Sequence, residues 1–228
     1  MRQALALAID RDIITQNILA AGQVPAYSLI HCTVAGYEVS TSEFAELTQA
    51  ERDARAVELM TEVGYGPGDE TLNFDILFNT SDAHQSIAVV IGQMWKQKLG
   101  VETTLANQEW QTFLDTRGTQ QYELARAGWC ADYNEASSFL DIKQSDSGYN
   151  HSKFVNAGFD ARLAEANLVE DPLPLYQQAE AILVREFPLI PIHFYSSVLK
   201  QDDTVKGYPL KNDQENWYAC DMYRVATE

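Results

Sequence analysis

A strand–helix–strand unit at residues 72–105 constrains the fold of this chain most. Residues 72–78 alternate apolar and polar side chains as a half-buried strand does, and residues 101–105 repeat that alternation. Between them Ser81 can cap a helix that Gly100 is placed to end. Strands joined by a helix of this length pair in parallel within one sheet, so the sequence predicts an α/β fold with a mixed sheet flanked by helices.

Other elements are predicted on both sides of this unit. Asp10 can cap a second piece of the first helix, and Thr48 with Glu51 forms a capping box that opens another. Asp171 followed by Pro172 is typical of a helix start. The remaining expectations are helices at 1–21, 110–114 and 158–168, a turn at 64–68, a strand at 122–127, a buried strand at 188–195 and a turn-rich tail at 202–228.

Composition excludes several classes of protein. The chain is 46% hydrophobic and 11% aromatic, which are globular proportions, and its longest apolar runs, such as residues 87–91, are too short to span a bilayer. The net charge is −17, from 16 Lys plus Arg against 33 Asp plus Glu, and such a surface repels phosphate backbones. We therefore expect neither nucleic-acid binding nor membrane insertion.

Patterns of catalysis and metal binding are missing from the sequence. The four histidines lie far apart without an H-E-x-x-H arrangement, and no G-x-S-x-G elbow presents a serine. The glycines at 64, 66 and 68 follow a helix and precede a strand, which is the wrong order for a phosphate loop. Cys130 has no sequence cue for a base, and three cysteines leave at least one thiol without an internal partner. We expect no enzyme, metal or cofactor.

Residues 126–135 bring charged and aromatic side chains together at the end of a predicted strand. Open α/β sheets bind ligands at the carboxyl ends of their strands. Trp129 offers a flat apolar face, and Asp132 offers a carboxylate for a ligand ammonium group, which Arg126 can help to keep ionised. The alternative is structural, with an Asp that caps the next helix and a Trp that fills the core. The residues by themselves leave both interpretations open.

A series of motifs along the whole chain resembles one family. Residues 126–135 read Arg-Ala-Gly-Trp-Cys-Ala-Asp-Tyr-Asn-Glu, and distinctive stretches at 2–14, 79–84, 107–117 and 191–195 accompany them in order. Together they resemble the periplasmic oligopeptide-binding proteins of bacterial ABC importers. The resemblance implies a two-lobed clamshell of which residues 1–187 are the second lobe, while residues 188–228 are a hinge strand and a tail that returns to the first lobe.

The resemblance also implies roles for particular residues. Asp132 would pair with the peptide's α-ammonium group, with Arg126 nearby, and the backbone around Cys130 would pair with the peptide main chain as an added strand. Trp129 and Trp110 would wall side-chain pockets. Arg117, His84 and Asn79 would meet ligand side chains or a terminal carboxylate, and Tyr195 would border the cleft near the hinge. His84 is equally well a surface residue and Trp110 equally well part of the core.

Partners and departures follow from the same resemblance. The expected partners are an oligopeptide and a membrane permease, for a monomeric, exported, periplasmic protein whose signal peptide would precede these residues. Relatives often carry a lysine near residues 18–21 where this chain has none, and often bridge Cys130 to an upstream cysteine, so we expect a free thiol here. The alternatives are dipeptides, murein peptides, haem or a nickel complex as the solute, or a docking module that selects no ligand. Without the other lobe, we expect these 228 residues to bind peptide weakly or not at all.

Overall fold

Three parallel strands form the central sheet of the computed structural model, which describes residues 1–39, 42–65, 70–209 and 217–226. Their order is β3-β2-β4, with β2 at Asn73–Asn79, β3 at Glu102–Gln108 and β4 at Leu124–Ala125. The register pairs Asn79 with Gln108 at the carboxyl end of the first two strands. The predicted parallel crossover through one helix is confirmed.

Seven α-helices lie in the described residues. They are α1 Arg2–Leu7, α2 Gln49–Thr61, α3 Asp82–Leu99, α4 Trp110–Gly118, α5 Ser137–Leu140, α6 Ala157–Ala166 and α7 Leu173–Glu186. A π-helical segment covers Ile13–Leu19, and short 3-10 turns cover Glu43–Ala45, Asp141–Lys143 and Ala219–Asp221. Two short antiparallel pairs complete the described fold, β1 Val24–Pro25 with β5 His193–Phe194 and β6 Val205–Lys206 with β7 Tyr223–Arg224. None of the described helices combines the length and apolar character needed to cross a bilayer.

Local capping chemistry sets several helix ends as the sequence predicts. The Thr48 hydroxyl accepts from the Glu51 backbone N–H and the Glu51 carboxylate accepts from that of Thr48, so the capping box is confirmed. Gly100 ends α3 at φ 70°, in the left-handed region that costs glycine little. Gly64 also has a positive φ of 80° after α2. The rest of the predicted 64–68 turn, from residue 66 onward, lies outside the described residues.

The helix predicted over residues 1–21 is broken after Leu7, and its second piece follows Asp10, the residue that the sequence indicates as its cap. The buried Arg11 guanidinium donates to the carbonyl oxygens of Ala6 and Ile9, each at 3.1 Å, which a continuous helix would use itself. The same group donates to the carbonyls of Ala26 at 2.8 Å and Pro191 at 2.9 Å. Burial lowers the pKa of Arg11 to about 10. Arg11 thus joins three distant segments, and the chain resumes as a π-helical segment whose Ile13 N–H donates to the Asp10 carboxylate.

The predicted buried strand at 188–195 is also wrong in extent. Only His193–Phe194 pairs, with β1, and both residues are half-buried. Pro188 and Pro191 lack the N–H that a ladder needs, and the Pro191 carbonyl is taken by Arg11. Tyr195, directly beyond β5, is 56% exposed. The proposed division of the chain at residue 187 stays a prediction.

Two apolar clusters hold the described elements together. The first packs α1, α2 and α3 against the sheet around Trp95, whose indole N–H donates to the Leu5 carbonyl at 2.8 Å. The second packs α5, α6 and α7 around Phe159 and Leu163. Within the second cluster the fully buried Glu180 accepts from the Ile30 N–H at 3.0 Å and from the Tyr37 hydroxyl at 2.7 Å. Glu180 therefore ties the 23–39 connection to α7.

The close approach of α3 to β3 yields a stability prediction. A methyl group at Gly92 would lie 2.5 Å from the Thr103 hydroxyl oxygen. We expect Gly92→Ala to lower the free energy of unfolding by about 1–3 kcal/mol, because the overlap outweighs the gain in helix propensity. Gly118→Ala is the matched control, since nothing lies within 4 Å of the added methyl. Equal urea midpoints for both variants would contradict the predicted packing.

Candidate functional site

The carboxyl ends of the parallel strands carry polar atoms without hydrogen-bond partners. Among the described residues, the buried Asn79 Oδ1 at the end of β2 and Gln108 Oε1 at the end of β3 have none. The same holds for His84 Nδ1 in the first turn of α3 and for His193 Nδ1 in β5. Buried polar atoms are nearly always paired in folded proteins, so such a group marks a place where water or a ligand supplies the partner. We call these four residues the strand-end cluster.

Arg126 links β2 to Tyr195, the residue that follows β5. Its backbone N–H donates to the Leu77 carbonyl at 2.8 Å, which continues the pairing of β4 with β2. Its guanidinium donates to the Tyr195 hydroxyl, and the Tyr195 ring meets His193 edge-on with centroids 4.8 Å apart. The structure therefore brings Arg126 and Tyr195, which are 69 residues apart in sequence, into direct contact.

Electrostatics in the cluster disfavours further positive charge. Burial lowers the pKa of His84, and the charges of Arg126 and His193 lower it further. Burial likewise lowers the pKa of His193, with Arg126 as the second lowering cause. Both imidazoles are therefore held neutral at neutral pH, which leaves each ring with one donor and one acceptor nitrogen. Each neutral ring and each unpartnered amide oxygen can therefore form a hydrogen bond with a polar group of a ligand.

The loop of residues 126–135 is anchored by the first turn of α5. The Ser138 hydroxyl accepts from the Asp132 backbone N–H at 2.9 Å, and the Ser138 carbonyl accepts from the Trp129 indole N–H at 2.7 Å. The Tyr176 hydroxyl donates to the Glu135 carboxylate at 2.8 Å. The capping position of α5 is held by Ala136, and Asp132 is exposed. The position of Asp132 therefore fits a ligand contact better than a helix cap.

The aromatic residues divide between the loop and α4. Trp129 is half-buried and meets Tyr149 edge-on at 5.1 Å between ring centroids. Trp110, 49% exposed, stacks on the buried Phe113 at 5.9 Å, and the Arg117 guanidinium carbon lies 5.4 Å from the centroid of the same Phe113 ring. Trp110 and Arg117 therefore share one face of α4. Neither tryptophan is a fully buried core residue.

Cys130 lies between Trp129 and Asp132 on the exposed loop. Within the described residues Cys32, Cys130 and Cys220 are all exposed and free of disulfides. No strand includes residues 127–131, so their backbone is not committed to the sheet. In the described parts of the chain, no three His, Cys, Asp or Glu side chains gather as a metal site would need.

The structure brings several of the predicted site residues together and adds two polar residues that were not predicted. Contacts and mutual charge effects unite Asn79, His84, Arg117, Arg126 and Tyr195, with the 129–132 loop beginning beside Arg126. Gln108 and His193 were not predicted as site residues. Gln108 ends a parallel strand opposite Asn79, so the rule that selects strand ends could have found it. A cavity of about 460 Å³ lined by Asp10, Tyr27 and Arg52 does not include any of these residues.

The sequence of this chain is similar to those of known binding proteins. Residues 1–151 match the family model of the bacterial extracellular solute-binding proteins, family 5, middle part. The chain belongs to that family. This family 5 chain is 38% identical over 228 residues to the periplasmic murein peptide-binding protein of Escherichia coli (strain K12) and to the periplasmic oligopeptide-binding protein of Salmonella typhimurium. Each alignment covers 99% of the chain and 42% of the relative, so the chain spans less than half the length of these proteins.

Solved structures give the same picture of the family 5 fold. The chain superposes on the murein tripeptide binding protein of Escherichia coli with a TM-score of 0.92 at 37% identity, covering 99% of the chain and 45% of that structure. A Haemophilus influenzae oligopeptide-binding protein, solved in complex with the peptide RPPGFSPFR, gives a TM-score of 0.89 at 33% identity with the same coverage. The predicted α/β clamshell fold, of which these residues form a part, is confirmed.

Proposed function

We propose that this chain is the ligand-binding second lobe and returning tail of a receptor that collects oligopeptides for an ABC importer. The observation that carries the proposal is the loop at 126–135, which presents an exposed Asp132 and starts at Arg126, whose charge acts on His84 of the strand-end cluster. The peptide and murein-peptide binding named for its relatives supports it. Such a receptor binds and releases its ligand unchanged, so we expect no turnover.

Asp132 anchors the peptide's α-ammonium group in this proposal. Arg126 lies six residues before Asp132, at the start of the same loop. The uncommitted backbone of residues 127–131 pairs with the peptide main chain, which gives affinity without selecting side chains. Trp110 and Trp129 wall the side-chain pockets, while Asn79, His84 and Arg117 offer hydrogen bonds to side chains or to the terminal carboxylate. Tyr195 borders the cleft.

The remaining partners belong to the whole protein. Residues 188–228 form the hinge and the segment that packs on the first lobe, and several exposed apolar side chains in that stretch, among them Val198, Leu199 and Tyr218, support such a contact. We propose a monomer in the periplasm that docks on a membrane permease. The periplasmic location named for the relatives supports that placement.

Calorimetric titration with mixed tri- to pentapeptides tests the proposed function. The protein at its full encoded length is used, because closure of two lobes is what removes the ligand from water. Saturable heat with a stoichiometry near one supports a peptide receptor. Heat with a murein tripeptide but not with ordinary peptides would move the assignment to the second candidate, which the 38% identity to a murein peptide-binding protein favours. The absence of heat with either would overturn both.

Ser138 provides a prediction about how the loop is held. Ser138→Ala removes the acceptor of the Asp132 N–H but keeps the backbone carbonyl that holds Trp129. We expect peptide affinity to fall by roughly 3- to 10-fold, the equivalent of one neutral hydrogen bond. Ser147→Ala, at a less buried serine nearby, is the control. An unchanged affinity in both variants would mean that this bond does not position Asp132.

A further inference from the structure

Lys143 is a cation in an unusual position. It ends the 3-10 turn Asp141–Lys143, is only 8% exposed, and its ammonium donates to the Ser152 hydroxyl at 3.2 Å. A buried lysine normally has an acidic partner, and an ammonium group has three N–H donors. In the described part of the chain no carboxylate lies within ion-pair distance of Lys143. Among the described residues, the buried charge therefore has the Ser152 hydroxyl as its hydrogen-bond partner.

Arg117 is the second cation of the group. Its Nε is buried without a hydrogen-bond partner among the described residues, and its charge acts on Lys143. Burial lowers the pKa of Lys143 to about 8, and the charge of Arg117 is the second cause of this fall. Burial, Arg117 and Lys143, in that order, lower the pKa of His151. At neutral pH Lys143 still carries its proton, so two like charges share this space.

Hydrogen bonds hold the two segments that carry these cations against residues 150–152. Beyond α4, the Gln120 amide donates to the Asn150 carbonyl at 3.4 Å and the Tyr122 hydroxyl donates to the His151 carbonyl at 2.6 Å. On the other side, Ser152 bonds the Asn150 side chain at 3.1 Å and accepts from Lys143. The end of α4 and the Lys143 turn are thus held against the same three residues. The arrangement is built by neutral groups, and none of them offsets the positive charge.

The surrounding chain makes this arrangement harder to explain as packing alone. The net charge is −17, yet no acidic residue that the structure describes forms an ion pair with Lys143 or Arg117. Holding a buried cation without a counter-charge is costly, and an apolar side chain of similar size would fill the space with less penalty. Arg126 acts on Arg117 in turn, so the two cations continue the strand-end cluster rather than standing apart from it.

We propose that Lys143 and Arg117 form an anion subsite for a carboxylate carried by the ligand itself. The ligand class is a peptide with an Asp or Glu side chain, whose carboxylate accepts from the free donors of both cations. This inference rests on the proposed peptide-receptor function and names the peptides that it prefers. Lys143 is the residue that sets the preference, because it adds a second positive charge near that of Arg117.

A paired-ligand titration tests the subsite. Tripeptides and tetrapeptides are compared in which one position at a time holds Glu or Gln, against the protein at its full encoded length. We expect one position at which Glu binds at least about 10-fold more tightly than Gln, and a ratio within about 2-fold at that position in Lys143→Met. Methionine fills the buried space without charge, and thermal unfolding checks that the variant folds.

The controls separate this inference from the proposed function. Lys153→Met removes an exposed charge from the same segment and should leave the Glu-to-Gln ratio unchanged. Equal loss of affinity for Glu and Gln peptides in Lys143→Met would mean a structural role and would overturn the subsite. Equal binding of both peptides by the unaltered protein would overturn it as well, while leaving the receptor function intact. Failure of every peptide to bind would instead refute the proposed function.

Discussion

Asp132→Asn is expected to weaken the binding of a free-amine tripeptide by about 100-fold or more. The amide keeps the shape of the carboxylate but removes its charge, so the ligand ammonium is left buried in the closed cleft without a counter-ion. Removing one partner of such a pair costs about 2–5 kcal/mol, and about 2.7 kcal/mol corresponds to 100-fold. Calorimetric titration of the variant and the unaltered protein with the same peptide measures the difference.

Two controls make the Asp132 result specific. The N-acetylated form of the peptide has no ammonium group, so the two proteins should bind it equally weakly. Asp146→Asn removes the same charge from an exposed position after α5 and should change the affinity by less than about 2-fold. An Asp132→Asn variant that binds the free-amine peptide as tightly as the unaltered protein would show that the amine is held elsewhere.

Glu180→Ala is expected to have the largest effect on stability. The change leaves two buried donors, the Ile30 N–H and the Tyr37 hydroxyl, without this acceptor and opens a cavity between α7 and the 23–39 connection. Each unsatisfied buried donor costs about 1–3 kcal/mol, so we expect the free energy of unfolding to fall by about 3 kcal/mol or more. Urea unfolding followed by circular dichroism measures it.

Two further variants divide that effect into its parts. Tyr37→Phe removes one donor together with its bond and should cost about 1 kcal/mol. Glu165→Ala, at an exposed α6 position that forms an ion pair with Arg162, should change stability by no more than about 0.5 kcal/mol. A Glu180→Ala midpoint equal to that of Glu165→Ala would refute the proposed anchoring of the connection to α7.

The part of the fold that depends on local chemistry could be predicted from sequence. The strand predicted at 72–78, the glycine after α3 and the reciprocal cap of α2 each depend on residues close together in sequence, and all three appear in the structure. The predicted alternation does not extend along the whole strand, because residues 76–79 are all buried. Asp10 indicates a second helical piece, but the contacts of Arg11 at the break could not be predicted, because two of its acceptors are the carbonyl groups of Ala26 and Pro191 in other segments. The shortness of β5 has a similar cause, because the carbonyl group of Pro191, just before β5, accepts a hydrogen bond from the distant Arg11.

The candidate site divides in the same way. Asn79 and Arg126 follow from the rule that ligands meet the carboxyl ends of parallel strands, and the motif at 126–135 drew attention to Asp132. Ser138 and His193 were missed because their importance lies in which groups they contact, not in their own type or spacing. Lys143 was missed for a related reason. A lysine in a sequence ordinarily predicts an exposed position, so the burial of Lys143 could not be predicted.

A crystal structure of the protein at its full encoded length with a bound tripeptide tests the central claim most directly. The quantity to measure is the distance from the nearer Asp132 carboxylate oxygen to the peptide's α-nitrogen. Our account predicts a direct charged hydrogen bond of about 2.7–2.9 Å, with the peptide main chain running along residues 127–131. A peptide bound with its α-nitrogen more than about 6 Å from Asp132, beyond direct charge pairing, would contradict it.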